Sequence, residues 1–103
     1  MYTINIGLEN PVTGHNNSVD QTLAVALKYL KGINNVRVSL DGAEPTVIIE
    51  YFEPIGFIKT LSAELDQDCV AVYDHDIGQG TLIGNKADQW GDFDIQYFQN
   101  RLS

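Results

Sequence analysis

The sequence has one cysteine, few basic residues and no long hydrophobic run. The lone Cys69 cannot form an internal disulfide, which favours a protein of a reducing compartment such as the cytoplasm. Uncharged apolar runs reach only a few residues, far short of the ~20 that a membrane-spanning helix needs. The first residues, Met1 to Ile6, lack the basic and apolar regions of a signal peptide. These absences predict a cytoplasmic protein that does not cross a membrane.

Basic residues are outnumbered by acidic ones. The chain has 6 lysines and arginines against 14 aspartates and glutamates, which gives a net charge of −8. Nucleic-acid affinity depends on lysine and arginine neutralising phosphates, so DNA or RNA binding is disfavoured. The acidity is concentrated between Asp66 and Asp94, where seven aspartates accompany one lysine, Lys86. This charge favours a basic protein partner, or serves solubility alone.

The composition is that of one globular domain. With 103 residues, 44% of them hydrophobic and 19% charged, the chain can build a single modest core and is too apolar for disorder. Both strand-like and helix-like patterns occur along it. We therefore expect residues 1–103 to form one α+β domain.

Three segments in the first half have the pattern of β-strands. Thr46 to Phe52 is rich in β-branched and aromatic residues and is bounded by Pro45 and Pro54, as expected of a strand inside a sheet. Tyr2 to Leu8 alternates between apolar and polar residues, which indicates a half-buried strand. Val36 to Leu40 also alternates and precedes an Asp-Gly turn signal, so it should pair with the strand that follows.

Two segments have the pattern of amphipathic helices. The first begins at Ser18, whose hydroxyl can accept the backbone N–H of Gln21 in an S-x-x-Q capping box, and it ends before Gly32. The second runs from Ile55 to Gln67, and Gly56 weakens its start. Apolar residues recur at helical spacing in both, so one side of each helix should pack on the sheet.

Further strand-like segments follow. Cys69 to Tyr73 is a short apolar strand, Asp74 to Gly80 is a turn, and Thr81 to Ile83 is the expected hairpin partner. Asp92 to Phe98 alternates weakly and is either a last strand or a docked tail. The order β-α-β-β-α-β predicts a ferredoxin-like antiparallel sheet with two helices on one face, plus a C-terminal β-hairpin or tail extension. The alternative is another α+β sheet to which the C-terminal hairpin adds strands.

If both helices cover one face of this sheet, the other face is open and mixed in character. Its expected residues are Thr3, Asn5, Gly7, Arg37, Ser39, Ile48, Glu50, Phe52 and either Ala71 or Tyr73. Such a surface has to be covered by the chain's own tail, by a second copy or by a partner. The aromatic residues available in the tail are Trp90, Phe93, Tyr97 and Phe98.

Asp74, His75 and Asp76 form the chemically densest part of the sequence. Two carboxylates and an imidazole could bind a divalent cation or act as acid and base. The spacing does not match a calcium loop, because Gly78 and Gln79 occupy its fifth and sixth positions. Aspartate and glycine together more often form a hydrophilic turn. We therefore expect a turn here and no metal.

No pattern for covalent catalysis or cofactor binding is present in the sequence. Cys69 begins an apolar strand, where a thiol usually packs as a small hydrophobic side chain. The Gly78-Gln79-Gly80 stretch lacks the following helix and the basic residue of a phosphate-binding loop. The sequence therefore predicts no catalytic residue and no cofactor, and it favours a non-enzymatic protein.

Three segments, Gln67 to Tyr73, Gly80 to Gly84 and Trp90 to Phe93, resemble small bacterial proteins carried on mobile elements. The relevant classes are integron-cassette products and immunity-type proteins of toxin systems. The resemblance contributes no catalytic residue. It implies a compact bacterial cytoplasmic protein that acts by binding, often as a dimer.

Two hypotheses about function follow. The first is an immunity- or inhibitor-like binding protein whose acidic surface docks on a basic protein and whose aromatic residues serve as anchors. Its expected partner-binding residues are Asp74, Asp76, Asp88, Trp90, Asp92, Phe93, Asp94 and Tyr97. The second is a ferredoxin-like dimer that binds a small molecule, or acts as a small enzyme, in a pocket between sheet and helices. The expected ligand-binding residues of that pocket are Tyr51, Phe52, Tyr73 and His75.

Overall fold

The structure, a computed structural model, describes residues 1–10, 14, 16–32, 35–39, 45–67 and 70–84. The elements in this part of the chain are β1 (Tyr2–Gly7), α1 (Val19–Ala26), β2 (Asn35–Ser39), β3 (Thr46–Tyr51), α2 (Ile58–Glu64), β4 (Val70–Asp74) and β5 (Gln79–Ile83). Neither of these two helices is long and apolar enough to cross a membrane.

The five strands form one antiparallel sheet in the order β2-β3-β1-β4-β5. β1 lies at its centre, between β3 and β4. Its residue Ile4 is the Cα partner of Ile49 on one side and of Val72 on the other. A helix lies between β1 and β2 in the chain, and another between β3 and β4. The predicted α+β class is confirmed.

The strand order is not the predicted ferredoxin-like one. In that arrangement β4 is an edge strand, whereas here β5 pairs along all of β4, from Val70 opposite Ile83 to Asp74 opposite Gln79. A turn at residues 75–78 reverses the chain, and Gly78 in it has a φ of +66°, which favours glycine. The sheet corresponds to the alternative, in which the C-terminal hairpin adds a strand. The strand or tail predicted at residues 92–98 lies outside the described residues.

One hydrophobic core of the described residues lies between the sheet and the helices. Alternate residues of the central strands point into it, and the buried ones are Ile4, Ile6, Val47, Ile49, Tyr51, Val70 and Val72. The residues that the two helical segments bury in the same core are Ala26, Leu30, Ile58, Leu61 and Leu65. Because side chains alternate along a strand, both helices cover one face of the sheet. We call the other side the second face.

α1 begins as the sequence predicts. Ser18 is its N-cap, and the Ser18 hydroxyl accepts the backbone N–H of Gln21 at 3.0 Å. A tighter turn follows the helix, because the N–H groups of Lys28 and Tyr29 each donate to a carbonyl three residues earlier. The regular helix therefore ends well before Gly32.

α2 is shorter than predicted at its N-terminus, since it begins at Ile58, after a turn. Its C-terminus is closed by a Schellman motif. Asp66 has a φ of 53°, and its N–H donates to the Ala63 carbonyl at 3.1 Å. The N–H of Gln67 donates to the Ser62 carbonyl at 2.9 Å. These bonds satisfy carbonyl groups that a helix end leaves unpaired.

Two asparagines between β1 and α1 also hold the C-terminus of α2. The Asn17 side chain donates to the Leu65 carbonyl at 2.6 Å, and the Asn10 side chain donates to the Asp66 carbonyl at 2.7 Å. Both asparagines are buried. Buried amides are normally hydrogen-bonded, and these two bonds join Asn10 and Asn17 to the C-terminus of α2.

An aromatic and charged cluster joins the end of α1 to α2. The Tyr29 ring stacks on Phe57 with centroids 5.7 Å apart, and the Tyr29 hydroxyl donates to the Glu64 carboxylate. The Lys28 ammonium lies 3.2 Å from the other carboxylate oxygen of Glu64. The hydrogen bond from Tyr29, and then that from Lys28, lowers the pKa of Glu64. The same bond to Glu64 raises the pKa of Tyr29.

These shifts predict that the cluster stabilises the fold at intermediate pH. The pKa of Glu64 is lower in the folded state than in the unfolded state. Its contribution to the free energy of unfolding is therefore complete above the unfolded-state pKa and is lost as pH falls through the folded-state pKa. The pKa of Tyr29 is higher in the folded state than in the unfolded state. Its contribution to the free energy of unfolding is therefore complete below the unfolded-state pKa and is lost as pH rises through the folded-state pKa.

Urea unfolding of wild type and Glu64→Gln, from about pH 6 to about pH 3, measures the acid side of this effect. The stability advantage of wild type should shrink as the pH falls. Tyr29→Phe keeps the stacked ring and removes the hydroxyl, so it should lose part of the same pH dependence. An advantage over Glu64→Gln that stays constant across this range would contradict the assignment.

Candidate functional site

The second face of the sheet is partly buried at its centre. Thr3 on β1 and Ile48 on β3 point to it, and only 8% and 5% of their surfaces are exposed. Ile48 lies between Asn5 and Arg37, its Cα partners on β1 and β2. Arg37 is exposed and Asn5 is half-buried. The second face is therefore less open than strand alternation alone predicts.

Thr3 is the centre of a cluster of polar and aromatic side chains. Its Cα partners are Glu50 on β3 and Tyr73 on β4, so the three side chains share the second face. Thr3 Oγ1 and His75 Nε2 are hydrogen-bonded at 2.6 Å. The rings of Tyr73 and His75 meet edge to face, with centroids 4.9 Å apart. A hydroxyl, an imidazole, a phenol and a carboxylate thus lie near one end of the sheet.

The turn that carries His75 is fixed by backbone hydrogen bonds. The Asp74 carboxylate accepts the N–H of Asp76 at 2.9 Å, and the Asp74 carbonyl accepts the N–H of Gly78 at 2.8 Å. The N–H of His75 donates to the Met1 carbonyl at 3.0 Å. The Met1 ammonium lies 3.1 Å from the Asp76 carboxylate. The turn is thereby held against the start of β1.

Two large apolar side chains are exposed at the same end of the sheet. Phe52 follows β3 and is 60% exposed, and Ile77 lies in the turn between β4 and β5 and is 66% exposed. β3 and β4 both end opposite Tyr2, so the segments after them leave the sheet together. We call this region the Phe52 end, and its residues are Thr3, Glu50, Phe52, Glu53, Tyr73, His75, Asp76 and Ile77.

Three of the four residues predicted to line a ligand pocket lie at one end of the sheet, and the fourth lies elsewhere. Tyr73 and His75 are in contact, and Phe52 lies at the same end of the sheet. Tyr51 is separated from them, because it points into the core and is 2% exposed. The Tyr51 hydroxyl accepts the backbone N–H of Lys31 at 3.0 Å. Successive residues of a strand point to opposite faces, so Tyr51 anchors β3 on the helix side of the sheet.

Of the predicted partner-binding residues, Asp74 is the last residue of β4 and Asp76 lies in the turn that follows it. The Asp74 carboxylate is engaged within the turn, whereas the Asp76 side chain is 80% exposed beside the Met1 ammonium. The predicted partner-binding residues that lie outside the described residues are Asp88, Trp90, Asp92, Phe93, Asp94 and Tyr97. Cys69 also lies outside them.

Sequence reasoning alone does not assign Thr3 or Ile77 to a site. Alternation places Thr3 on the second face, but its contact with His75, 72 positions away, depends on the pairing of β1 with β4. Ile77 has a local signal, because it is the one large apolar residue in an otherwise hydrophilic turn. An apolar side chain in such a turn is expected to be exposed.

The described residues contain no group of three His, Cys, Asp or Glu side chains placed to hold a metal ion. In the Asp74-His75-Asp76 segment, the Asp74 carboxylate accepts a backbone N–H of the turn and the His75 ring is hydrogen-bonded to Thr3. The Asp76 carboxylate lies beside the Met1 ammonium. Comparisons with known protein families, characterised proteins and solved structures find no match to this chain. Its function therefore has to be inferred from its own residues.

We expect Thr3 and His75 to stabilise the sheet as a pair. Thr3→Val keeps the β-branched shape and removes the hydroxyl, and His75→Ala removes the imidazole. The two changes should be coupled by about 0.5–1.5 kcal/mol, the net contribution of one hydrogen bond. Urea unfolding of wild type, both single variants and the double variant measures this coupling. Losses that simply add in the double variant would show that the bond contributes no stability.

Proposed function

We propose that the chain is a non-enzymatic binding protein that docks on a basic protein through the Phe52 end. The observation that carries the proposal is the exposure of Phe52 and Ile77 among carboxylates at one end of the sheet. Exposed apolar anchors provide affinity, and surrounding charge steers the partner into place. The chain has a net charge of −8, so its field attracts a basic surface.

Both anchors are attached to well-held backbone. Ile77 lies in a turn closed by Asp74 and joined to β1 through the N–H of His75. Phe52 directly follows Tyr51, whose hydroxyl is hydrogen-bonded in the core. A surface that is ordered before binding loses less conformational entropy on docking. This supports the Phe52 end as a preformed docking site.

The proposed surface extends into the acidic C-terminal part of the chain. On the sequence pattern alone, we include as further partner-binding residues Asp88, Trp90, Asp92, Phe93, Asp94 and Tyr97. The resemblance to immunity-type and integron-cassette proteins supports the same class of function, a cytoplasmic inhibitor of a basic protein such as a nuclease toxin. Acidic surfaces repel phosphate backbones, so the proposed target is the protein and not a nucleic acid.

Capture of basic proteins should depend on the two apolar anchors. The immobilised wild-type chain is expected to retain proteins of high isoelectric point from a bacterial lysate at low salt. It should release them at about 0.5 M salt, where screening acts over a few ångströms. The double variant Phe52→Ser/Ile77→Ser should lose this capture, because it lacks the apolar contacts. Mass spectrometry of the eluates identifies and quantifies the retained proteins.

Matched variants test whether capture depends on the Phe52 end or on other parts of the surface. Leu27→Ser removes an apolar side chain that is 56% exposed beyond α1, and it should capture like wild type. Glu53→Gln/Asp76→Asn should weaken capture and flatten its salt dependence. Glu9→Gln/Asp20→Asn changes the net charge by the same amount, away from the Phe52 end, and should have less effect. Equal capture by all of these variants would contradict docking at the Phe52 end.

A second function is favoured by the contact between Thr3 and His75. An imidazole beside a hydroxyl and a phenol offers donors and acceptors for a small polar molecule, or an acid and a base for a small enzyme. In this alternative Tyr73, His75 and Phe52 are the ligand-binding residues. Tyr51 contributes only by holding β3 in place.

Thermal-shift screening with a library of small polar and aromatic fragments tests this alternative. A fragment bound at the cluster should raise the melting temperature of wild type, because it binds only the folded state. It should not raise that of His75→Ala. Fragments that stabilise both proteins equally, or a screen in which none stabilises wild type, would count against a small-molecule site.

A further inference from the structure

Three buried side-chain polar atoms in the described part of the chain have no hydrogen-bond partner. They are Thr22 Oγ1 in α1, Thr46 Oγ1 at the start of β3 and Gln67 Nε2 beyond α2. Burying a hydroxyl or an amide without a hydrogen bond costs free energy, so native proteins usually satisfy such groups with protein atoms or with ordered water. Each of these atoms therefore points to a binding partner other than the described side chains.

Two of the three atoms belong to residues that contact the same glycine. Gly7 and Thr46 are Cα partners in the pairing of β1 with β3. A Cβ atom on Gly7 would lie 3.4 Å from Gln67 Oε1, so the Gln67 amide also lies beside this residue. Directly opposed residues have Cβ positions about 5 Å apart, which matches the span that one water bridges between two hydrogen-bonding groups.

The space beside Gly7 is on the second face, at the end of the sheet away from the Phe52 end. Gly7 follows Ile6 and Thr46 precedes Val47, and both of these apolar residues point into the core. Side chains alternate along a strand, so Thr46 and the missing side chain of Gly7 belong to the second face. The glycine leaves room there for a small molecule between the strands and the Gln67 amide.

The polar groups around this space determine what can bind. Gln67 Nε2 is a donor and needs an acceptor, whereas the Thr46 hydroxyl can donate or accept. A cation offers no acceptor to Gln67 Nε2, and the net charge of −8 opposes an anion. Both residues are more than nine-tenths buried, which excludes a large ligand. Water is small enough, and it both donates and accepts.

We propose that one ordered water is bound beside Gly7 and joins Thr46 Oγ1 to Gln67 Nε2. The Glu9 carbonyl oxygen lies 3.9 Å from the position that a Cβ on Gly7 would take, and it provides a third group for the water. Buried waters typically make about three hydrogen bonds to such groups. The water links the C-terminal end of α2 to β1 and β3. The proposal does not depend on docking at the Phe52 end.

The sign of one stability change tests the proposal. Thr46→Val keeps the β-branched shape and removes the hydroxyl. If the water is bound, the change removes one of its hydrogen bonds and should lower the midpoint of urea unfolding by roughly 0.5 M. If the hydroxyl has no partner, the change removes an unpaired buried group and should raise the midpoint.

Thr22→Val is the matched control. Thr22 Oγ1 also lacks a partner, but it belongs to α1, on the other side of the sheet from the second face. Removing this hydroxyl should leave the midpoint unchanged or raise it. A loss in Thr22→Val as large as that in Thr46→Val would contradict the proposal, because the loss would then come from the exchange of threonine for valine alone.

Gly7→Ala places a methyl group in the proposed water site. Gly7 is not among the glycines of positive φ, and alanine at such a position normally stabilises a protein by restricting the unfolded chain. Displacement of the water reverses this expectation, so the midpoint should fall. Thr46→Val should then cause a smaller further loss in the Gly7→Ala background than in wild type.

Nuclear magnetic resonance detects the water directly. Rotating-frame Overhauser cross-peaks between water and the Gln67 side-chain amide protons should be present in wild type and absent in Gly7→Ala. Two results would overturn the proposal, which are a wild type without these cross-peaks and a midpoint that rises in Thr46→Val. All of these variants keep Phe52 and Ile77, so capture of basic proteins by them reports separately on the proposed function.

Discussion

The pairing of β1 with both β3 and β4 is the constraint on which the rest of the structure depends. β2 pairs with β3, and β4 pairs with β5, so each of these pairs joins strands that are consecutive in the chain. Among the described strands, only β1 connects the two pairs into one sheet. These long-range pairings cost chain entropy, which burial of Ile4 and Ile6 in the core offsets. The same pairings bring Thr3 between Glu50 and Tyr73 and within reach of His75.

The two ends of the sheet differ in how their side chains are used. Beyond the last residue of β1, Asn10 and Asn17 are buried and donate to carbonyls at the C-terminus of α2. Hydrogen-bonded polar groups of this kind serve stability. At the Phe52 end hydrogen bonds hold the turn after β4, but Phe52 and Ile77 remain exposed. Exposed apolar side chains on fixed backbone contribute little to the fold, which is the physical reason to place binding at that end.

The negative charge of the chain bears on the proposed docking at the Phe52 end. A net charge of −8 favours the approach of a basic surface, and salt screens that attraction. The turn that presents Ile77 connects β4 to β5, so the position of this side chain depends on the pairing of these two strands. The proposed docking surface is therefore set by the same hairpin that extends the sheet beyond β4.

Features that depend on near neighbours can be predicted from the sequence. The alternation in β1, the Ser18 cap of α1 and the turn that begins at Asp74 follow from local propensities and from side-chain bonds that span a few residues. The sequence also grouped Tyr51 with Phe52, and only the tertiary structure placed Tyr51 in the core, where its hydroxyl accepts the N–H of Lys31. The turn residues after Asp74 predict the hairpin of β4 and β5, whereas the contact of Thr3 with a histidine 72 positions away follows only from the pairing of β1 with β4. Strand pairing sums many weak contacts between distant segments, so the contact of Thr3 with His75 has no local signature.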